Sequence, residues 1–252
     1  MLRNIPHNHP RAISLQIRET LVEGFRNGIV VEEGLIAHGR GEALDYLIGE
    51  RTTKEAGKAM KSAVARMLLA QRPVISVNGN TACLCAKEIV ELALVTGASI
   101  EVNLFHRSPE REIDIEKLLI SHGANCVHGI GSKASATIPE LMSDRRRVDP
   151  QGIYLADVVF VPLEDGDRTE ALVKMGKNVI TIDLNPLSRT AQKADVTIVD
   201  NVVRTMPKMI ELAKRMAKMK KSKLKMCANN LDNKENLVAS LQYILKGLKA
   251  RD

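Results

Sequence analysis

The sequence predicts an α/β fold, and three observations carry that reading. From Pro73 onward, short runs rich in valine and isoleucine alternate with helical stretches, the pattern of a parallel sheet covered on both faces. Residues before Pro73 read as helical. The composition, 44% hydrophobic and 27% charged over 252 residues, suits a globular chain with a sizeable core.

Pro10 can open a first helix running to about Asn27, with Ile13, Ile17, Leu21 and Phe25 at spacing four and Gly28 as its stop. A second helix starts near Glu32 and meets Gly39-Arg40-Gly41. Each glycine costs a helix ~1 kcal/mol, so a break is expected there. Thr52-x-x-Glu55 reads as a capping box for a third helix that ends at Arg72-Pro73. Strands are expected at Val74–Val77, Ser99–Phe105, Asn125–His128, Asp157–Pro162, Val179–Ile182 and Val196–Val199. Between them, Thr81–Thr96 is a helix closed by Gly97, and Pro109–Ser121 is another before Gly123. Asp167 can cap a further helix with Glu170 completing its box, and a last core helix runs on from Asn201. Gly129–Gly152 is a long segment with no assigned element. The expected architecture is a Rossmann-like, mostly parallel six-stranded sheet with helices on both faces. An N-terminal helical annex (1–72) precedes this α/β core (73–210), and a basic helical tail (211–252) follows it.

Composition also excludes. No apolar run reaches the ~18–20 residues that span a bilayer, and the N-terminal stretch has no apolar signal region. A cytoplasmic protein with no membrane partner is expected. The four cysteines form no framework: Cys83-x-Cys85 points its thiols to different sides of a helix, Cys126 reads as core, and Cys227 stands alone. Reduced thiols follow. The six histidines show no metal-ligand spacing beyond His7-x-His9, so no metal site is assigned. The net charge of +7 comes almost entirely from Glu211–Met226, where seven cations face one acid. That window contains no aromatic residue for base stacking, so a solvated helix end is expected and no nucleic-acid partner.

Several motifs can carry chemistry. Asn78-Gly79-Asn80-Thr81 follows a strand and opens a helix, which leaves backbone N–H groups facing outward for an anion. Val179–Ile182 and Val196–Val199 each stop at an aspartate, and between them lies a loop with Asn185, Ser188, Arg189 and Thr190. Polar groups converging where buried parallel strands end suit a nucleotide. Arg40, flanked by glycines, has the always-charged guanidinium of a phosphate clamp. Arg18 lies beside the first helix's apolar stripe. Gly129-Ile130-Gly131-Ser132-Lys133-Ala134 matches a loose dinucleotide fingerprint but follows the wrong strand. Lys133 in that loop could still close over a phosphate.

Longer strings go further. NIP at Asn4–Pro6, GLIAHGRGEALDYLIGERT at Gly34–Thr52, VNGN at Val77–Asn80, VPLEDGDRTEALVKMGK at Val161–Lys177, DLNPLSRTA at Asp183–Ala191 and TIVDNVVR at Thr197–Arg204 make the chain resemble the archaeal phosphopantothenate synthetases over roughly residues 4–210. The resemblance implies a homodimeric 4-phosphopantoate–β-alanine ligase of coenzyme A biosynthesis. Such an enzyme uses ATP, with Mg²⁺ to screen the triphosphate, and passes through an acyl adenylate. By the same resemblance Arg18, Arg40, Asp183, Leu184, Asn185, Arg189, Thr190, Asn201 and Val202 contact ATP. Asn78, Gly79, Asn80 and, more peripherally, Lys133 are then left for phosphopantoate. No residue stands out as the general base. Two other readings stay open: an NAD(P)-dependent oxidoreductase using the Gly129–Ala134 loop, and a noncatalytic nucleotide- or RNA-binding regulator using the basic tail.

Overall fold

The computed structural model describes residues 5, 6 and 8–249, with side chains to 247; Asn4 and His7 lie outside the described residues. Three helices, α1 (Ala12–Arg26), α2 (Glu32–Leu47) and α3 (Lys54–Leu69), precede β1 (Pro73–Val77). The alternating part follows as α4 (Gly79–Thr96), β2 (Ser99–Val102), α5 (Pro109–Ser121), β3 (Ala136–Thr137), β4 (Arg147–Val148), β5 (Val158–Pro162), α6 (Gly166–Lys174), β6 (Asn178–Ile182), α7 (Arg189–Lys193) and β7 (Val196–Ile198). The chain closes with α8 (Val202–Met216), α9 (Lys221–Asn229) and α10 (Asn233–Lys249).

The sheet is parallel, in the order β2-β1-β5-β6-β7, and has five strands rather than six. Asn125–His128 contributes a single bridge, Glu101 to His128, because the chain leaves the edge at Gly129 (φ 81°) after one pairing. Cys126 is accordingly exposed, not core. Within Gly129–Gly152, β3 and β4 pair as a small antiparallel ribbon. Alternation along the strands feeds two cores. Phe160, Ile180 and Ile182 join Ile75, Val77 and residues of α3, α4 and α8, whereas Val159, Val161 and Val179 pack with Leu172 of α6 and with Ile138, Val148 and Ile153.

The helices depart from expectation where tertiary contacts override local signals. The buried face of α1 is Ser14, Leu21 and Gly24, and Ile13 is 69% exposed. The four-residue spacing drifts round the helix, so the Ile13/Ile17/Leu21/Phe25 stripe is not its inner face. Helix α2 runs unbroken through Gly39-Arg40-Gly41. Its buried Glu42 and Asp45 are each held by arginines from other helices, which offsets the glycine cost. The cap of α3 is Thr53, not Thr52; the Thr52 hydroxyl donates instead to Asp200 at 2.5 Å. Helix α6 begins after Asp165 rather than Asp167.

The tail is built in. Leu224 and Ala228 of α9 join the larger core, and Ser62 of α3 donates to the Ala228 carbonyl at 2.9 Å. Asn233 and Asn236 of α10 take up the Thr197 N–H and carbonyl, each at 2.8 Å, which blunts the open edge of β7. All seven cations of 211–226 are exposed. No helix among the described residues is long and apolar enough to cross a membrane.

Candidate active site

The chain runs outward from β1 to the edge strand β2 and returns on β1's other side as β5. Ligands bind outside the carboxyl ends of strands at such a switch point. A cleft of ≈ 350 Å³ lies there. Its floor comes from the residues just past the strands: Asn78, Leu104, Leu163, Leu184 and Asn201. Its roof is α2, which presents Gly34, His38 and Gly41 at helical spacing, with Arg40 and Glu42 at the sides.

Two helix N-termini, those of α4 and α8, open onto this cleft, and each carries partial positive charge. Asn78 and Thr81 form a reciprocal capping box at α4. The Asn78 amide also donates to the Pro162 and Leu163 carbonyls at 3.1 and 3.0 Å, pinning the end of β5 where Leu163 adopts φ 57°. Asn80 donates to the Gly34 carbonyl at 2.8 Å and so ties the roof to the floor. Gly79 is packed against the Ile29 carbonyl and Arg111, with no room for a Cβ.

Three arginines reach the cleft. Arg111 of α5 donates to Ile29 O at 2.9 Å and to His106 O at 2.7 Å. Arg145 is buried and pairs with Glu164 and, at 3.3 Å, with Asp165; its Nε has no partner. Glu164 also holds the fully buried Arg168. Burial pulls both Arg145 and Arg168 down to about 10, which leaves them charged at neutral pH. Arg40 is exposed at the rim, and no ion pair involving it occurs among the described residues.

The roof is held by two charge networks. Arg18 of α1 grips Glu42 at 2.7 and 2.8 Å, and Tyr46 donates to the same carboxylate at 2.5 Å. Burial pushes the Glu42 carboxyl up, but these hydrogen bonds outweigh it and keep the group below the usual carboxylate range. Below, Arg204 of α8 bridges Asp45 at 2.5 Å and the fully buried Asp200 at 2.7 Å. Asn201 caps α8 through its Oδ1 and donates from Nδ2 to Asp45 at 2.9 Å.

Of the residues singled out from sequence, Asn78, Gly79, Asn80, Arg40, Leu184, Asn201 and Val202 line the one cleft. Arg18 stands behind it, through Glu42. Asp183, Asn185, Arg189 and Thr190 shape the adjoining loop. Asp183 is held by Ser188 and by the Asn185 N–H, and its burial pushes its pKa up. The Asn185 side chain accepts from Leu187 N at 3.0 Å, and Thr190 donates to Glu164 O at 2.9 Å. Arg189 is surface-exposed on Glu170. Lys133 is exposed in a short 3-10 turn and does not line the cleft. That turn opens no α-helix, and its Gly131 N–H is occupied by the Glu112 carboxylate at 2.7 Å. The loop therefore lacks the free helix N-terminus that a dinucleotide pyrophosphate requires. Sequence reading missed Arg111, Arg145, His106 and Asp165, which arrive from α5 and from loops whose paths no local signal fixes.

Fold and cleft together define a class: a parallel α/β protein whose cleft, at the switch point of its sheet, brings two helix N-termini and three arginines together with Glu33, Glu42 and Asp165. The model of the phosphopantothenate/pantothenate synthetase family matches residues 55–247. The chain is 52% identical over 241 residues to a 4-phosphopantoate–β-alanine ligase of Thermococcus kodakarensis, covering 96% of this chain and 92% of that one. It is 51% identical to a protein of the same name from Methanosarcina mazei, over 98% and 97% of the two chains. A third, from Methanospirillum hungatei, is 54% identical over 80% of this chain and 82% of its own. The chain belongs to the phosphopantothenate/pantothenate synthetase family.

Proposed function

We propose that the chain is an ATP-dependent ligase that condenses 4-phosphopantoate with β-alanine. The observation that carries this reading is the convergence on one cleft of two helix N-termini with Arg40 and Arg111, neither of which forms an ion pair among the described residues, contacts suited to phosphorylated substrates. Arg40, Leu184, Asn201 and Val202 face ATP from one end, framed by the Asp183–Thr190 loop with Asn185 and Arg189. Arg18 holds Glu42 through Nε and one Nη and would reach a phosphate with its other Nη, keeping that grip. Gly79 and Asn80 at the α4 N-terminus, with Arg111 and Arg145, take the phosphate and carboxylate of 4-phosphopantoate at the other end. Asn78 acts by holding that end in shape. Lys133 has no part in the cleft and would reach a ligand only by loop movement.

In the reaction, a carboxylate oxygen of 4-phosphopantoate attacks the α-phosphorus of ATP and pyrophosphate leaves. The β-alanine nitrogen then attacks the acyl adenylate and AMP leaves. The arginines hold the anions in line and offset the charge that develops during each displacement. No three His, Cys, Asp or Glu side chains among the described residues cluster to hold a metal. Any Mg²⁺ would therefore enter with ATP rather than on a protein-built site, and would supply charge neutralisation of the leaving group. Coenzyme A biosynthesis supplies the setting. A homodimer belongs to the same reading, and Ile13 and Ile36, 69% and 64% exposed, are side chains a second copy would cover.

Arg40→Ala tests the nucleotide end. Losing one charge-assisted contact to a phosphate costs about 1.5–3 kcal/mol, so the KM for ATP should rise roughly 10–100-fold while that for β-alanine changes little. Unchanged ATP kinetics would remove Arg40 from the site.

A further inference from the structure

The α2 roof carries a group that neither ligand end uses. His38 lines the cleft, and its Nε2 is shielded from bulk water with no hydrogen-bond partner. Leaving such an atom unpaired costs about 1–3 kcal/mol, which a ligand able to donate a proton to it would recover. We propose that His38 is the general base that takes the proton from the β-alanine ammonium. The proposal rests on the ligase reading above.

The other titratable groups on the cleft walls are all engaged or open to solvent. Glu42 is held ionised by Arg18 and Tyr46, which makes it a poor proton acceptor. Asp165 pairs with Arg145 at 3.3 Å. Glu33 is largely exposed, and the half-exposed His106 ring stands 3.6 Å from it. Among the described groups able to accept a proton, His38 combines an unpartnered, water-shielded nitrogen with a place inside the cleft; the unpartnered Nε of Arg145 belongs to a charged guanidinium and can only donate. Burial holds its pKa below the ordinary histidine value, so it is neutral and able to accept at pH 7. The charged groups acting on it are Glu42 and Asp45 of its own helix and Arg18 of α1. The two carboxylates favour the imidazolium that forms, and Arg18 opposes it.

The ammonium gives up two protons in becoming an amide N–H. His38 takes the first, freeing the lone pair. The nitrogen then bonds to the acyl carbon, and the bond from that carbon to the adenylate oxygen breaks. The second proton passes to the departing AMP phosphate, and His38 returns its own proton to solvent.

His38→Gln separates the two half-reactions. The first, followed as 4-phosphopantoate-dependent exchange of pyrophosphate into ATP, should stay within about 3-fold of wild type. Amide formation with β-alanine should fall by about 10²–10⁴-fold, the contribution of a positioned base. The remaining rate should climb with pH, because more of the amine is then already neutral. Hydroxylamine, largely unprotonated at neutral pH, should capture the acyl group equally well with both proteins. Equal losses with β-alanine and hydroxylamine would overturn the proposal in favour of a structural role, as would a β-alanine rate that does not change. Loss of exchange in step with amide formation would overturn it too. A wild-type protein without any exchange would instead sink the ligase reading itself.

Discussion

Replacing Arg204 with methionine should lower the thermal transition by roughly 6–20 °C and cost most of the activity. Among the described residues Arg204 is the one cation paired with both Asp45 under the roof and Asp200 just past β7, and both acids are buried. Removing the cation leaves two carboxylates without their counter-charge. Breaking a buried ion pair from one side costs about 3–5 kcal/mol, which in a chain of this size corresponds to that shift. The loss reaches the cleft because Asp45 also takes the Asn201 amide that caps α8. Without it, α2 and the α8 N-terminus lose their common anchor. Adding Asp45→Asn to Arg204→Met should recover part of the stability, since one stranded charge disappears. A transition moved by less than about 2 °C would show that the network carries no such load.

The second large effect concerns one methyl group. Gly79→Ala places a Cβ on the Ile29 carbonyl and the Arg111 guanidinium. A backbone oxygen cannot yield as a flexible side chain does, so the start of α4 must shift. Overpacking of this kind costs about 1–3 kcal/mol. Displacing the α4 N–H groups and Arg111 by about 1 Å should lower kcat/KM by about 100-fold. Gly57→Ala is the control, because nothing lies within 4 Å of a Cβ there and α3 is helical. It should stabilise the protein by up to about 1 kcal/mol. Equal activity in Gly79→Ala and wild type would mean that α4 does not position substrate.

The strand runs, the Asn78-to-Thr81 turn and the Asn201 cap are legible because each is local: apolar alternation and cap chemistry operate within a few residues. The sixth strand fails on the same ground from the other side. Asn125–His128 has the residues of a strand, but only one bridge forms before Gly129 turns the chain away. Helix α2 survives Gly39 and Gly41 because distant Arg18 and Arg204 hold Glu42 and Asp45, and no helix propensity contains that information. The cleft divides likewise. The end proposed for the nucleotide follows from strand ends close in sequence, whereas Arg145 arrives from a 24-residue segment without a periodic pattern. His38 was visible as a residue, but its unpaired nitrogen exists only once α2 closes over the sheet.

The most direct measurement is a product analysis of the wild-type protein supplied with ATP, 4-phosphopantoate and β-alanine. Ligation through an adenylate predicts AMP, pyrophosphate and 4′-phosphopantothenate in equal amounts, with none of the amide when either carbon substrate is left out. ADP and orthophosphate in place of AMP would contradict the adenylate route. No ATP consumption with all three present would contradict the ligase itself.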